Sequence, residues 1–138
     1  MKGYFDGEVV GFDLDGTLYK PNEKINNQIK EYVCKEASRR LNRDYQEIRR
    51  NFDGHYAENQ SGSKSLEIIG IEICNAKELV QSALENIDVS FINKDERLVN
   101  IIENIHKEYK LFMITSNKKS VARDKLGALG IDFRLFDP

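Results

Sequence analysis

Two aspartates separated by one residue are the strongest candidates for chemistry in this chain. Asp13 and Asp15 close the apolar run from Glu8 to Leu14, and the turn residues Gly16 and Thr17 follow them. In an extended segment, residues two apart point to the same side, so both carboxylates are expected to project together. Paired carboxylates can bind a cation, attack as covalent nucleophiles or transfer protons. The alternative is an acidic strand end followed by a turn.

Two carboxylates this close both stay ionised only if a cation or hydrogen-bond donors compensate; otherwise one pKa rises. Mg²⁺ would supply such a cation, because it prefers oxygen ligands and is commonly held by one or two carboxylates plus phosphate. An ionised aspartate could then attack phosphorus, while a neighbour with a raised pKa protonates the leaving oxygen and later deprotonates water. Gly16 would let the backbone approach a phosphate, and Thr17 offers a hydroxyl.

The strands that must position these groups are short and apolar. Glu8 to Leu14 has the pattern of a buried parallel strand that is covered by helices on both faces. Leu111 to Thr115 predicts a second strand, which ends at Ser116 and Asn117, and Phe133 to Phe136 a third. Strands separated by helices predict a parallel α/β sheet, in which ligands bind outside the carboxyl ends of the strands.

Helical periodicity fills the sequence between these strands. Four helices are predicted in residues 21–90, and two more flank the second strand. The four helices in residues 21–90 are expected at Ile25 to Leu41, Asp44 to about Asn59, Leu66 to Ile71, and Asn75 to about Asn86, with Asp44 and Asn75 as N-caps and Gly70 closing the third. The polar loop Gln60 to Ser63 precedes the third helix. The two flanking helices are expected from Asn93 or Asp95 to Tyr109 and from Ser120 to Leu129, with Gly130 as the C-cap of the latter.

Composition excludes several classes of protein. The chain has 138 residues, 40% of them hydrophobic and 32% charged, and a net charge of -2, which argues against nucleic-acid binding. It has no apolar run long enough to span a membrane, and its start lacks the apolar core of a signal peptide. Cys34 and Cys74 are expected to be buried or half-buried hydrophobes, and a cytoplasmic location fits best.

Two strings resemble motifs of the haloacid dehalogenase (HAD) superfamily. Phe12 to Tyr19, which reads FDLDGTLY, resembles the first motif, and Phe112 to Asn117, which reads FMITSN, is similar to the second. The resemblance implies an incomplete, three-layer, Rossmann-like α/β core formed by residues 1–20 and 91–138. It also implies that residues 21–90 form an all-helical cap that is inserted after the first motif.

The resemblance also implies roles for individual residues. Asp13 would be the nucleophile and Asp15 the general acid/base, with Mg²⁺ held by the Asp13 side chain and the Asp15 backbone carbonyl. Ser116 would hydrogen-bond the transferring phosphoryl group, with Thr115 as the second choice. The further phosphate-binding candidates are Gly16, Thr17 and Asn117.

The residues of the first motif and the helices that follow it are similar to those of the phosphoglycolate phosphatase, β-phosphoglucomutase and pyrimidine-nucleotidase branches of this superfamily. These enzymes act on small phosphorylated metabolites. The loop Gln60 to Leu66 resembles a substrate-selecting loop, so Ser63 and Lys64 are candidate substrate contacts, although Lys64 is equally read as a solvated lysine. His55 and His106 have no partners at metal-binding spacing and are expected to be surface or structural residues.

Part of the family pattern lies outside the two motifs. The family's third motif supplies a lysine and its fourth supplies acids for Mg²⁺, and both normally follow a segment like Leu135 to Asp137. Lys118, Lys119 and Lys125 come too early to match the third motif, so they are expected to form a basic helix surface.

The sequence has no match to the third and fourth motifs, which predicts impaired catalysis and an exposed apolar edge on the first strand. A missing C-terminal segment or a second copy of the chain would cover that edge. The resulting hypotheses are a capped phosphatase whose C-terminal part is not in this sequence, and a non-catalytic domain that binds or dimerises. A mutase or dehalogenase is a third, and Asp15 argues against a dehalogenase because that branch lacks the second aspartate.

Overall fold

The computed structural model describes residues 8–20 and 22–137. The chain divides into two compact units. One is Glu23–Asp88, and the other combines the described parts of Met1–Asn22 and Val89–Pro138. The first, helical unit nearly coincides with the predicted insertion at residues 21–90, and its role as a cap stays a prediction.

The described part of the chain contains six α-helices and three β-strands. The helical unit consists of α1 (Glu23–Leu41), α2 (Tyr45–Asn59), α3 (Gly62–Ile69) and α4 (Ile73–Glu85), and the sheet unit consists of β1 (Val9–Phe12), α5 (Glu96–His106), β2 (Lys110–Met113), α6 (Lys119–Leu129) and β3 (Phe136–Asp137). Single 3₁₀ turns precede α5 and β3.

The three strands form a parallel sheet in the order β1-β2-β3. Val10 lies opposite Leu111, which in turn lies opposite Phe136 on its other side. The predicted α/β class with a parallel sheet and a helical insertion is therefore confirmed. The third strand is shorter than predicted, because Phe133–Leu135 forms a 3₁₀ turn whose first residues are held by Asp132.

β1 is an edge strand of the described sheet, and the prediction that it is buried on both faces is wrong. Burial alternates along it, and Val9 is 58% exposed. Since each residue of a strand points to the face opposite its neighbour's, this alternation shows that only one face of β1 is packed against described residues.

The helical unit has its own hydrophobic core. α1 to α4 pack around buried side chains that include Val33, Ile48, Phe52, Leu66 and Leu79. This core explains why the four-residue repeat of α1 is apolar, because one stripe of the helix faces its neighbours.

The helix bounds confirm most of the predicted caps and correct two. Asp44 caps α2 by accepting a hydrogen bond from the Glu47 amide at 3.0 Å, and Gly70 follows α3 as its C-cap with a φ of 126°. The loop before α3 is shorter than predicted, because Ser61 caps that helix by accepting from the Lys64 amide. α4 starts before the predicted cap Asn75, with Glu72 at the N-cap position.

The two cysteines differ in environment. Cys34 is buried in the core of the helical unit, and this burial raises its pKa to about 11. Cys74 is exposed, so the prediction that it is buried or half-buried is wrong; it lies near the start of α4, on the side away from the core. No helix in the described part of the chain has the length and apolar character to cross a membrane.

Candidate active site

The loops after β1 and β2 leave the sheet side by side. The strands are parallel and Phe12 lies opposite Met113, so the residues that follow each strand meet at the carboxyl end of the sheet. The Ile114 amide donates to the Phe12 carbonyl at 2.8 Å, which continues the pairing one residue past β2. This arrangement brings the predicted motif residues of both loops to one place.

The loop after β1 folds back on itself as a tight turn. The amides of Thr17 and Leu18 both donate to the Leu14 carbonyl, at 3.3 and 3.0 Å, and Gly16 supplies the positive φ of 78° that the turn needs. Leu14 is fully buried, whereas Asp13 and Asp15 on either side of it are exposed. The two carboxylates therefore stand on the side of the chain opposite Leu14.

Asp13 has a simple environment. The Thr17 hydroxyl donates to Asp13 Oδ2 at 2.8 Å, across one turn of the loop. This contact orients the exposed carboxylate without burying it. Thr17 thus contacts the predicted nucleophile. Its contact with a phosphate remains a prediction.

Asp15 is held on both of its carboxylate oxygens. Oδ1 accepts from Lys125 Nζ at 2.5 Å and from the Tyr19 hydroxyl, while Oδ2 accepts from Asn117 Nδ2 at 2.5 Å. These donors come from three parts of the chain: the loop after β1, the loop after β2, and helix α6. The Asp15 carboxylate is therefore the point at which these three elements are joined.

Lys125 contradicts the prediction of a basic surface for α6. It is 2% exposed, and its Nζ lies 3.2 Å from Asn117 Oδ1 and 6.0 Å from the centre of the Tyr19 ring. The sequence does carry a signal for this, because the lysine falls on the buried stripe of the helix. That stripe consists of Val121, Ala122, Lys125, Leu126 and Leu129.

Asp15 favours the ionised form, whereas a general acid must be protonated before it donates. Burial raises the pKa of this carboxyl, but the hydrogen bonds from Lys125 and Tyr19 and the charge of Lys125 more than offset it, so the net pKa lies below the ordinary value. Burial, together with the adjacent Asp15 carboxylate, raises the pKa of the Tyr19 hydroxyl. Of the two alternatives for closely spaced carboxylates, Asp15 follows the one in which hydrogen-bond donors compensate the charge and the pKa does not rise.

The loop after β2 is ordered by its own side chains. Thr115 Oγ1 accepts from the Asn117 amide at 3.1 Å and from Asn117 Nδ2 at 2.8 Å, and Asn117 is only 9% exposed. Ser116 between them is exposed. Of the two hydroxyl candidates, Thr115 is therefore engaged within the loop, while Ser116 is exposed and follows β2.

The exposed carboxylate of Asp13 offers the oxygen ligands that Mg²⁺ prefers. Among residues 8–20 and 22–137, no group of three or more Asp, Glu, His or Cys side chains could hold a metal. Asp13 offers an exposed carboxylate, while both Asp15 oxygens are occupied by donors from the protein. The predicted cation ligands, the Asp13 carboxylate and the Asp15 backbone carbonyl, would be completed by substrate phosphate and water, a set that is usual for Mg²⁺.

The predicted substrate contacts of the helical unit lie in the first turn of α3. Lys64 is exposed and forms an ion pair with Glu67 at 2.8 Å, and Ser63 is half-buried. A cavity of about 520 Å³ in this unit is lined by the adjacent Gly62 but by neither of these two residues. His106 is exposed and His55 half-buried.

Comparison with known proteins assigns the family. A family model for haloacid dehalogenase-like hydrolases matches residues 10–137, which is nearly the whole chain and includes both candidate motifs. No curated protein is similar enough to be matched. The matched range extends from β1 to β3 and includes the residues that surround Asp15: Tyr19, Asn117 and Lys125. The chain therefore belongs to the haloacid dehalogenase-like hydrolases.

Proposed function

We propose that this hydrolase is a Mg²⁺-dependent phosphatase of small phosphorylated metabolites, with Asp13 as its covalent nucleophile. One observation carries the proposal: Asn117 of the second motif binds Asp15 of the first at 2.5 Å, with the Asp13 carboxylate exposed beside them. Family membership supports hydrolysis in general. A carboxylate that is exposed, oriented and next to a hydroxyl-bearing loop is suited to attack on phosphorus.

In the first step, an Asp13 oxygen forms a bond to phosphorus as the bond from phosphorus to the leaving oxygen breaks. The leaving oxygen takes up a proton that Asp15 relays from solvent. When bound, Mg²⁺ supplies positive charge that offsets the charge on the phosphoryl oxygens. Thr17 keeps the carboxylate in one orientation through its 2.8 Å hydrogen bond. The exposed Ser116 and the Gly16 turn, which follow β2 and β1, are proposed to supply hydrogen-bond donors to the phosphoryl group.

In the second step, water attacks the phosphoryl group of the Asp13 acyl phosphate, which releases inorganic phosphate and the free carboxylate. Asp15 is proposed as the base that takes the water proton, because its lowered pKa keeps it ionised and able to accept. After accepting that proton, Asp15 releases it to solvent, because its lowered pKa favours the ionised form. Asp15 is therefore proposed to relay a proton from solvent in the first step and to solvent in the second.

The test is hydrolysis of p-nitrophenyl phosphate by the purified chain, with Mg²⁺ and then with excess EDTA. We expect Mg²⁺-dependent turnover that Asp13→Asn abolishes and that Glu103→Gln, which changes an exposed carboxylate on α5, leaves within about twofold. Hydroxylamine trapping should label Asp13 during turnover.

Three outcomes separate the alternatives. Turnover that survives Asp13→Asn would overturn the nucleophile assignment. Binding of orthovanadate without turnover would favour the non-catalytic binding domain. Turnover unaffected by EDTA would remove the metal from the proposal.

A further inference from the structure

We propose that Lys125 is a positioning residue of this site, which holds the Asp15 carboxylate in place and reduces the negative charge that a phosphate must approach. This inference rests on the proposed function, because it concerns how the same site admits an anionic substrate. Lys125 belongs to neither motif. Its role is read from its position inside the protein, on α6.

The ammonium group of Lys125 is surrounded by groups of the protein. Nζ lies 2.5 Å from Asp15 Oδ1 and 3.2 Å from Asn117 Oδ1, with the Tyr19 ring 6.0 Å from it. The side chain is 2% exposed, so it cannot reach a substrate in this arrangement. Lys125 must therefore act through Asp15 and Asn117, the two residues that join the loops after β1 and β2.

A lysine in a buried stripe is costly unless its charge is paired, because an ammonium group loses its hydration there. Asp15 pairs it, while the Asp15 side chain is itself 42% exposed and keeps contact with water. The two aspartates carry a formal charge of one negative unit each, and the formally positive Lys125 ammonium offsets one of these charges. The cluster of Asp13, Asp15 and Lys125 then presents one negative charge to an incoming phosphate.

This charge balance has a signature that packing does not share. Loss of the positive charge should strengthen the binding of a cation and weaken the binding of an anion, because the two respond to the same field with opposite sign. A lysine that only fills space on α6 would affect both in the same direction, or neither. Lys125→Met separates these roles, because methionine keeps much of the apolar stem and removes the charge.

The experiment measures Mg²⁺ binding and orthovanadate binding by calorimetry, on the full chain and on Lys125→Met. We expect Mg²⁺ to bind Lys125→Met more tightly, by about threefold to tenfold, and orthovanadate at saturating Mg²⁺ to bind it on the order of tenfold more weakly. Lys107→Met is the matched control, because Lys107 is exposed at the end of α5 and its loss should leave both constants within about twofold. Thermal unfolding verifies that each variant is folded; if Lys125→Met does not fold, Lys125→Gln provides the neutral comparison.

The outcomes are distinct. Opposite changes in the two affinities support the proposal. Weakening of both, or no change in either, overturns the role of Lys125 and leaves the proposed function standing. If the unmodified chain binds neither Mg²⁺ nor orthovanadate, the proposed function fails and the role of Lys125 fails with it.

Discussion

The amide of Asn117 and the carboxylate of Asp15 lie 2.5 Å apart, although 102 residues separate them in the sequence. The same amide group also donates to Thr115 Oγ1, and its oxygen accepts from Lys125. Asn117 therefore uses both ends of its side chain to connect two loops and a helix. The geometry of the candidate site depends on this one nearly buried side chain.

Removal of the Asn117 side chain should destabilise the sheet unit. Asn117→Ala leaves Thr115 and one oxygen of Asp15 without this donor, and we expect a loss of about 1–2 kcal/mol in the free energy of unfolding. Urea denaturation measures it. Asn104→Ala is the control, because Asn104 is exposed on α5 and its side chain accepts from the exposed Lys107, so its loss should cost less than about 0.5 kcal/mol. Equal losses would show that the link contributes nothing of its own.

The role of Asp15 predicts a dependence on the leaving group. A nitrophenolate leaves without a proton, whereas an alkoxide needs one, so Asp15→Asn should slow phosphoryl transfer from an alkyl phosphate by about 10²–10⁴-fold and from p-nitrophenyl phosphate by much less. Single-turnover release of the leaving group measures this step. Similar losses with both substrates would indicate that Asp15 positions other groups and does not transfer the proton.

The helical unit should lose stability in acid through Asp53. This residue accepts from Lys30 at 2.8 Å and from Arg49 at 2.9 Å. Burial raises its pKa, but these two hydrogen bonds and charges outweigh burial, so the net pKa lies below the ordinary value for an aspartate. A carboxylate with a lowered folded-state pKa stabilises the protein above its unfolded-state pKa, and this stabilisation is lost as the pH falls through the folded-state value.

Asp53→Asn should therefore destabilise the protein near pH 7, by about 0.5–1 kcal/mol because both ion pairs are partly exposed. The difference from the unmodified chain should begin to shrink as the pH falls through the ordinary aspartate pKa and vanish below the lower folded-state pKa. Denaturant unfolding across pH 2.5–7 is the measurement, with Glu58→Gln, an exposed carboxylate on the same helix, as the control. A difference that does not change with pH would rule out the ion pairs as its source.

Two glycines of the helical unit should respond to alanine with opposite signs. Gly54 lies within α2 with open space around its Cβ position, so Gly54→Ala should stabilise the unit by about 0.5–1 kcal/mol. Gly70 ends α3 at a φ of 126°, which alanine adopts only with strain, so Gly70→Ala should destabilise it by about 1 kcal/mol or more. The melting temperatures of both variants test this, and equal shifts would contradict it.

Local chemistry made most of the fold predictable. Asp44, Asp95 and Gly130 mark helix ends as predicted, because caps depend on a side chain and a few neighbouring amides. The predicted helix bounds failed at Ser61, because a serine can either lie in a polar loop or cap a helix; here it caps α3. The predicted burial failed at Val9, because burial of a strand depends on which layers cover it.

For the candidate site, the sequence by itself determined which carboxylates and hydroxyls are available and that they follow two neighbouring parallel strands. The two-residue spacing of Asp13 and Asp15 and the apolar strands before Asp13 and Thr115 are local properties, so they can be read directly from the sequence. Only the tertiary structure decided the charge state of Asp15. Its donors Asn117 and Lys125 lie 102 and 110 residues away, and the stripe that places Lys125 on the buried side of α6 does not say which carboxylate the lysine meets. Hydrogen bonds and burial set that pKa, and both exist only once the strands and the helix have packed together.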